Sequence, residues 1–226
     1  MGFKVMGWDA STPVLAVGYI EDGEPVANMS ARGPRLAGTI LVEWIDRLVK
    51  LYGRPDALAV GVGPGSFTGV RVALSAAKAY SLGWNVPLVG VSSLAAWAEV
   101  VLPGRRVVVT SERRGMAFYL GYYWVDVDGA QALMPDVAVQ GRLPLRFPLA
   151  EEVTVLGPAG ADAALLRQIG RVAHPDRRAI SGVPVAMRGW SRLQWKGADD
   201  PVGLAPTYLR SVAISRPNEV DRHGAS

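Results

Sequence analysis

The sequence predicts an α/β fold in two lobes, the second reduced, and three observations carry that prediction. Strand-like apolar runs give way to helical patterns again and again through the first hundred residues. A glycine-rich stretch, Gly63-Pro64-Gly65-Ser66-Phe67-Thr68-Gly69, joins one such strand to one such helix. The 226 residues exceed a usual single domain yet are few for two full ones. Hydrophobic residues make up 50% of the chain, so material for a core is ample.

Each element has its local reason. Residues 4–8 form an apolar strand that stops at Asp9-Ala10-Ser11-Thr12-Pro13. Residues 14–20 form a second strand, Glu21-Asp22-Gly23-Glu24 a hairpin turn, and residues 25–30 a third strand. A helix from about 36 to 52 is closed by Gly53. The strand at 57–62 leads through the glycine loop into a helix, and a strand at 87–91 leads to another helix headed by Ser92 and Ser93. The order β-β-β-α-β-α-β-α is that of one ribonuclease-H-like lobe of the actin/Hsp70/sugar-kinase superfamily, an actin-like ATPase fold. In that fold an aspartate after the first strand typically faces phosphate or metal.

Pro103-Gly104 marks the lobe boundary, giving lobes 1–102 and 103–226. In the second, residues 107–111 and 116–125 pair across Glu112-Arg113-Arg114-Gly115. Residues 126–152 are rich in proline and glycine and only weakly periodic. A strand at 153–156, a turn at 157–160 and helices at 161–169 and 183–193 follow, then a polar tail from about 211 that is expected to fray. No internal repeat of fixed period is visible.

Composition narrows the chemistry. Without cysteine there are no disulfides and no thiolate sites. No apolar run is long enough for a membrane span and the start lacks a signal-peptide layout, so a cytoplasmic location is expected. The net charge of +4 is mildly basic, and the pairs Arg105-Arg106, Arg113-Arg114 and Arg177-Arg178 lie scattered, without interleaved aromatics. Only His174 and His223 exist, far apart, with His174 in a Pro-Asp-Arg loop, so neither a histidine metal pair nor a Ser-His-Asp set is supported. No cofactor and no metal is expected.

The glycine loop sets backbone N–H groups at a positive helix end, an arrangement that attracts anions, and Ser66 or Thr68 can cap that helix. It is not a Walker A loop, for no lysine follows its last glycine, and its spacing is not the dinucleotide fingerprint. Asp9, Ser11, Gly63, Gly65 and Ser66 are therefore the candidate vestigial phosphate-loop positions, the alternative being a tight strand-to-helix connection with Asp9 capping its own turn. Two helices carry a second signal. The apolar positions of the 36–52 helix, from Ile40 and Leu51 through Trp44 to Ile45 and Val42, spread over roughly 200°, twice the ~100° stripe one core face needs. On the helix after the loop, Val72, Ala76 and Ala79 lie opposite Val70, Leu74 and Ala77. Ile40, Trp44, Leu51, Val72, Ala76 and Ala79 are thus candidates for a helix-against-helix interface.

The run GPGSFTGVR, the following ALSAAKAYSLGWNVPLVGVSSLAAWA, the start MGWDAST, SERRGMAFY and the ending APTYLR resemble the TsaB family, also written YeaZ. The resemblance covers residues 4 to about 210. It implies a part in making N6-threonylcarbamoyladenosine at adenosine 37 of tRNAs that read ANN codons. In that system TsaD transfers the threonylcarbamoyl group, and TsaB is its non-catalytic partner, supporting TsaD and helping to recruit the ATPase TsaE. It also implies a homodimer through the same helices when TsaD is absent, with tRNA contacted indirectly. TsaD-type relatives carry V-N-H-x-x-x-H where this chain has Val91-Ser92-Ser93-Leu94-Ala95-Ala96-Trp97. Ser93 and Trp97 stand in the histidine places, and an indole is no metal ligand. The chain departs from the family at Ala37, near a usual histidine, and at Ser111, in place of a usual aspartate. Two rivals remain: an actin-like ATPase or phosphotransferase using Asp9 and the loop, and a glycopeptidase-like hydrolase.

Overall fold

The computed structural model describes residues 2–33, 35–112, 117–140, 153–156, 173–176 and 181–209. The predicted tail from 211, the turn at 157–160 and the helix at 161–169 lie outside these residues. Strands β1 (Lys4–Asp9), β2 (Val14–Glu21) and β3 (Glu24–Arg32) form an antiparallel meander. β4 (Ala57–Gly61) and β5 (Leu88–Val91) add to β1 in parallel, giving the order β3-β2-β1-β4-β5. A second five-stranded sheet holds β6 (Arg105–Glu112), β7 (Ala117–Asp126), β8 (Gly129–Gln140), β9 (Val153–Leu156) and β10 (Ala173–Asp176) in the order β10-β9-β6-β7-β8.

The helix expected over 36–52 is two helices, α1 (Leu36–Thr39) and α2 (Leu41–Tyr52). The break is at Ile40, with φ −120°, after Gly38 and Thr39. The Thr39 hydroxyl donates to the Leu36 carbonyl at 3.2 Å, competing with the backbone ladder. Helix α3 (Phe67–Trp84) follows the glycine loop, α4 (Ser93–Ala98) follows β5, and α5 (Val183–Lys196) is the last described helix.

Two strands went unseen in the sequence. β8 contains Pro135 and β10 contains Pro175, and proline argues against a strand because it cannot donate to a ladder. Both lie at the outer edges of their sheet, where one side of the backbone needs no partner. His174 accordingly stands in β10, not in a loop.

Both faces of the first sheet are covered. Side chains alternate along β1, so Met6 and Trp8 point one way and Val5 the other. Met6, Trp8, Val17, Tyr19, Leu58 and Val60 pack under Leu41, Ile45 and Leu48 of α2 and Ala73, Leu74 and Ala77 of α3. On the opposite face Val5, Ile20, Ala59 and Val89 meet Val185 and Ala186 of α5. So a helix from the C-terminal end of the chain completes the N-terminal sheet. Its start lies backbone against backbone: a Cβ on Gly18 would fall 2.2 Å from the Val183 nitrogen. Helix α4 packs instead on the second sheet, through Leu94, Trp97, Val107, Tyr123 and Val125.

Candidate functional site

Asp9 ends β1 and is fully buried, at 0% exposure. Its Oδ1 accepts from the Ser11 backbone at 2.8 Å and from the Ser11 hydroxyl at 2.6 Å, and its Oδ2 accepts from the Ser93 hydroxyl. Burial pushes the Asp9 carboxyl above the usual carboxylate range, and the Ser11 and Ser93 bonds oppose that shift.

The glycine loop closes over this group. Gly63 donates its N–H to the Ser93 hydroxyl at 3.1 Å, and Ser93 returns its own N–H to the Gly63 carbonyl at 3.0 Å. Ser66 donates to the Ser11 carbonyl at 2.6 Å, and its hydroxyl caps α3 by accepting from Gly69 at 3.2 Å. Gly65 and Gly69 permit this fit, because a Cβ at either would lie within 2.2 Å of the Ser11 or Ala10 carbonyl oxygen. The five loop-site positions named from the sequence therefore lie close together: Ser11 bonds to Asp9 and Ser66, Gly63 joins the group through Ser93, and Gly65 packs on the Ser11 backbone.

Ser93, adjacent to Ser92, sits at the junction of the two sheets. The Ser92 hydroxyl accepts from Ala95 as the cap of α4 and donates to Asp136 of β8 at 2.9 Å. Asp136 also accepts from the Tyr123 hydroxyl, and burial raises its carboxyl above the ordinary range. A second link runs from Glu99, at the end of α4, to Arg188 of α5 at 2.5 Å. Asp136 escaped notice in the sequence because it lies in the stretch that lacked periodicity. Trp97 is buried in the second core, and its indole N–H has no partner among the described residues. Among the described residues no group of three or more His, Cys, Asp or Glu is placed to hold a metal.

The interface candidates occupy the outer side of α2 and α3. Leu51 and Ala79 are exposed, while Ile40, Trp44, Val72 and Ala76 are half-buried. Val42 and Leu51 are 59% and 63% exposed, so the wide apolar arc of α2 is not roofed by the described chain.

A duplicated sheet order of three antiparallel and two parallel strands, with a loop-and-helix site at the end of the first strand, defines an actin-like ATPase fold. Solved structures agree: YeaZ from Pseudomonas aeruginosa superposes with a TM-score of 0.78 at 21% identity, over 92% of this chain and 100% of that one. A putative N-acetylmannosamine kinase from Listeria monocytogenes superposes at 0.50 with 10% identity, over 85% of this chain and 99% of that one. At such identities these show the fold alone. The family model described as "TsaD: tRNA N6-adenosine threonylcarbamoyltransferase" matches residues 40–143. The Escherichia coli tRNA threonylcarbamoyladenosine biosynthesis protein TsaB is 31% identical, over 92% of this chain and 95% of its own. The chain belongs to the TsaB family. No described helix is long and apolar enough to cross a membrane.

Proposed function

We propose that this chain serves tRNA threonylcarbamoyladenosine biosynthesis as the non-catalytic partner of a TsaD-type transferase. It docks through α2 and α3, raises the activity of TsaD, helps recruit TsaE, and in the absence of TsaD forms a homodimer over the same helices. The reading places it in the cytoplasm. The observation that carries it is the uncovered apolar surface of α2, where Leu51 and Val42 are more than half exposed beside half-buried Ile40 and Trp44. Supporting it, the two positions at which TsaD-type relatives are expected to hold histidines are here a serine bonded to Asp9 and a core tryptophan. The phosphotransferase rival needs an Asp9 that substrate can reach, and Asp9 is 0% exposed.

Capture of purified TsaD by this chain is the direct test. Leu51→Asp and Ala79→Arg sit on exposed positions and leave the core intact. Each is expected to weaken capture by at least ~10-fold, the scale of one interface anchor, without lowering the melting temperature. Normal capture and normal tRNA modification by both variants would refute the docking assignment.

A further inference from the structure

Beyond α5, residues 197–209 form a strap held at three points. The Asp199 carboxylate grips the Arg192 guanidinium at 2.6 and 2.5 Å and takes the Gly90 N–H at 2.8 Å. Lys78 on α3 donates to the Val202 carbonyl at 3.0 Å, and Thr207 donates to the Val62 carbonyl at 2.8 Å. The last of these sets Tyr208 beside Phe67, ring centroids 5.7 Å apart and tilted by 30°. Both rings remain 59% exposed although each is fixed by its backbone. One turn along, the Arg71 guanidinium lies 4.9 Å from the Phe67 centroid.

The helix beside this pair carries positive charge. Helix α3 carries Arg71 and Lys78 and no carboxylate, and the pair sits at its N-terminus, the positive end of the helix dipole. The nearby strap carboxylate, Asp200, is folded onto the N–H groups of Val202 and Gly203 at 3.0 and 2.9 Å. At 100° per residue Phe67 lies roughly 120–180° around α3 from Val72, Ala76 and Ala79, so this is not the face assigned to TsaD. Exposed rings with a guanidinium beside them, at the positive end of a helix, suit flat π-faces joined by phosphates. A duplex hides its base faces; an unpaired strand presents them.

We propose that Phe67, Tyr208 and Arg71 form a contact for an unpaired segment of RNA, which the chain offers to the tRNA substrate directly. The proposal rests on the role in tRNA modification given above. Its test is fluorescence anisotropy of the full chain, alone and with TsaD, against a labelled tRNA transcript, a short single-stranded oligoribonucleotide and a duplex of the same sequence. The single strand should bind more tightly than the duplex. Phe67→Ala and Tyr208→Ala should each weaken single-strand and tRNA affinity ~10-fold, as loss of one stacked base does. Tyr208→Trp should preserve it, and Arg71→Ala should lower the salt slope by about one. Ultraviolet crosslinks should map to Phe67 or Tyr208. TsaD capture measured without RNA should stay at the wild-type level. Wild-type RNA affinity in both alanine variants, no RNA affinity in the parent chain, or loss of TsaD capture by these variants would overturn the proposal, the last by assigning the rings to a protein contact. Failure of the parent chain to capture TsaD would instead refute the partner reading, whatever its RNA affinity.

Discussion

The sheets β3-β2-β1-β4-β5 and β8-β7-β6-β9-β10 repeat one topology: a three-stranded antiparallel meander, then two strands added in parallel to its first member. Their surroundings differ. The first sheet is enclosed by α2 and α3 on one face and α5 on the other. The second meets α4 on one face, and its β7 and β8 extend to 10 and 12 residues, longer than β1 at 6. Each sheet brings one carboxyl to the start of α4, the buried Asp9 to Ser93 and the half-buried Asp136 to Ser92. The difference teaches that a shared strand order sets where a site can form, while the elements packed on it decide whether that site stays open. In the first half the space beside Asp9 is filled by the chain's own loop.

The largest effect is expected where α5 touches the first sheet. Gly18→Val would force a side chain into the Val183 backbone, and overpacking of this kind costs about 3 kcal/mol. Urea denaturation should show the loss, and near-normal stability would mean that α5 is not fixed to the sheet as described.

Next come the paired carboxyls. Both have folded pKa values above the ordinary aspartate value of 3.8, so the folded state holds its proton more tightly than the unfolded state. Stability therefore falls as pH rises above 3.8 through the folded values. Asp9→Asn keeps the shape and cannot ionise, so its stability relative to wild type should improve with rising pH. The same trend should be weaker for Asp136→Asn, because Asp136 is only partly buried and the positive charge of Arg188 opposes its shift. Asp199 runs the other way. The hydrogen bonds from Arg192 hold its carboxyl below the ordinary range, so its contribution is present above 3.8 and lost as pH falls through its folded value. Flat differences for Asp9→Asn and Asp136→Asn in urea titrations across pH 4–8 would break the comparison, whereas the Asp199 contribution changes only below 3.8. Asp9→Ala, which strands three donors, should cost about 2 kcal/mol in the same assay.

The smallest effect belongs to the surface of α2. Lys50 and Asp46 form an exposed i,i+4 pair at 2.6 Å. Lys50→Ala should change stability by only about 0.3–0.5 kcal/mol, vanishing at high salt. A larger change would mean that the exposed side of α2 does more for the monomer than its exposure indicates.

Much of the first half was legible because its signals are local. The meander, Ser66 and Ser92 as caps, Gly53 as a helix end and the apolar excess of α2 follow from neighbouring residues. The second half was less so. Pro135 and Pro175 disguised edge strands whose tolerance for proline depends on having no neighbour, which a linear reading cannot see. The repeat in topology was invisible for a similar reason, since strand order is a property of pairing and not of residue identity.

The sequence alone determined the class of fold, the closeness of Asp9 to its own turn, and the presence of more apolar helix surface than one core requires, because periodicity and caps act over a few residues. Tertiary structure alone decided that Ser93 would meet Asp9, that Ser92 would meet Asp136, and that Tyr208 would stand beside Phe67. Those pairs are separated by 84, 44 and more than a hundred residues, and only the packing of both sheets around α4, with the strap fixed across α3, brings them within bonding distance.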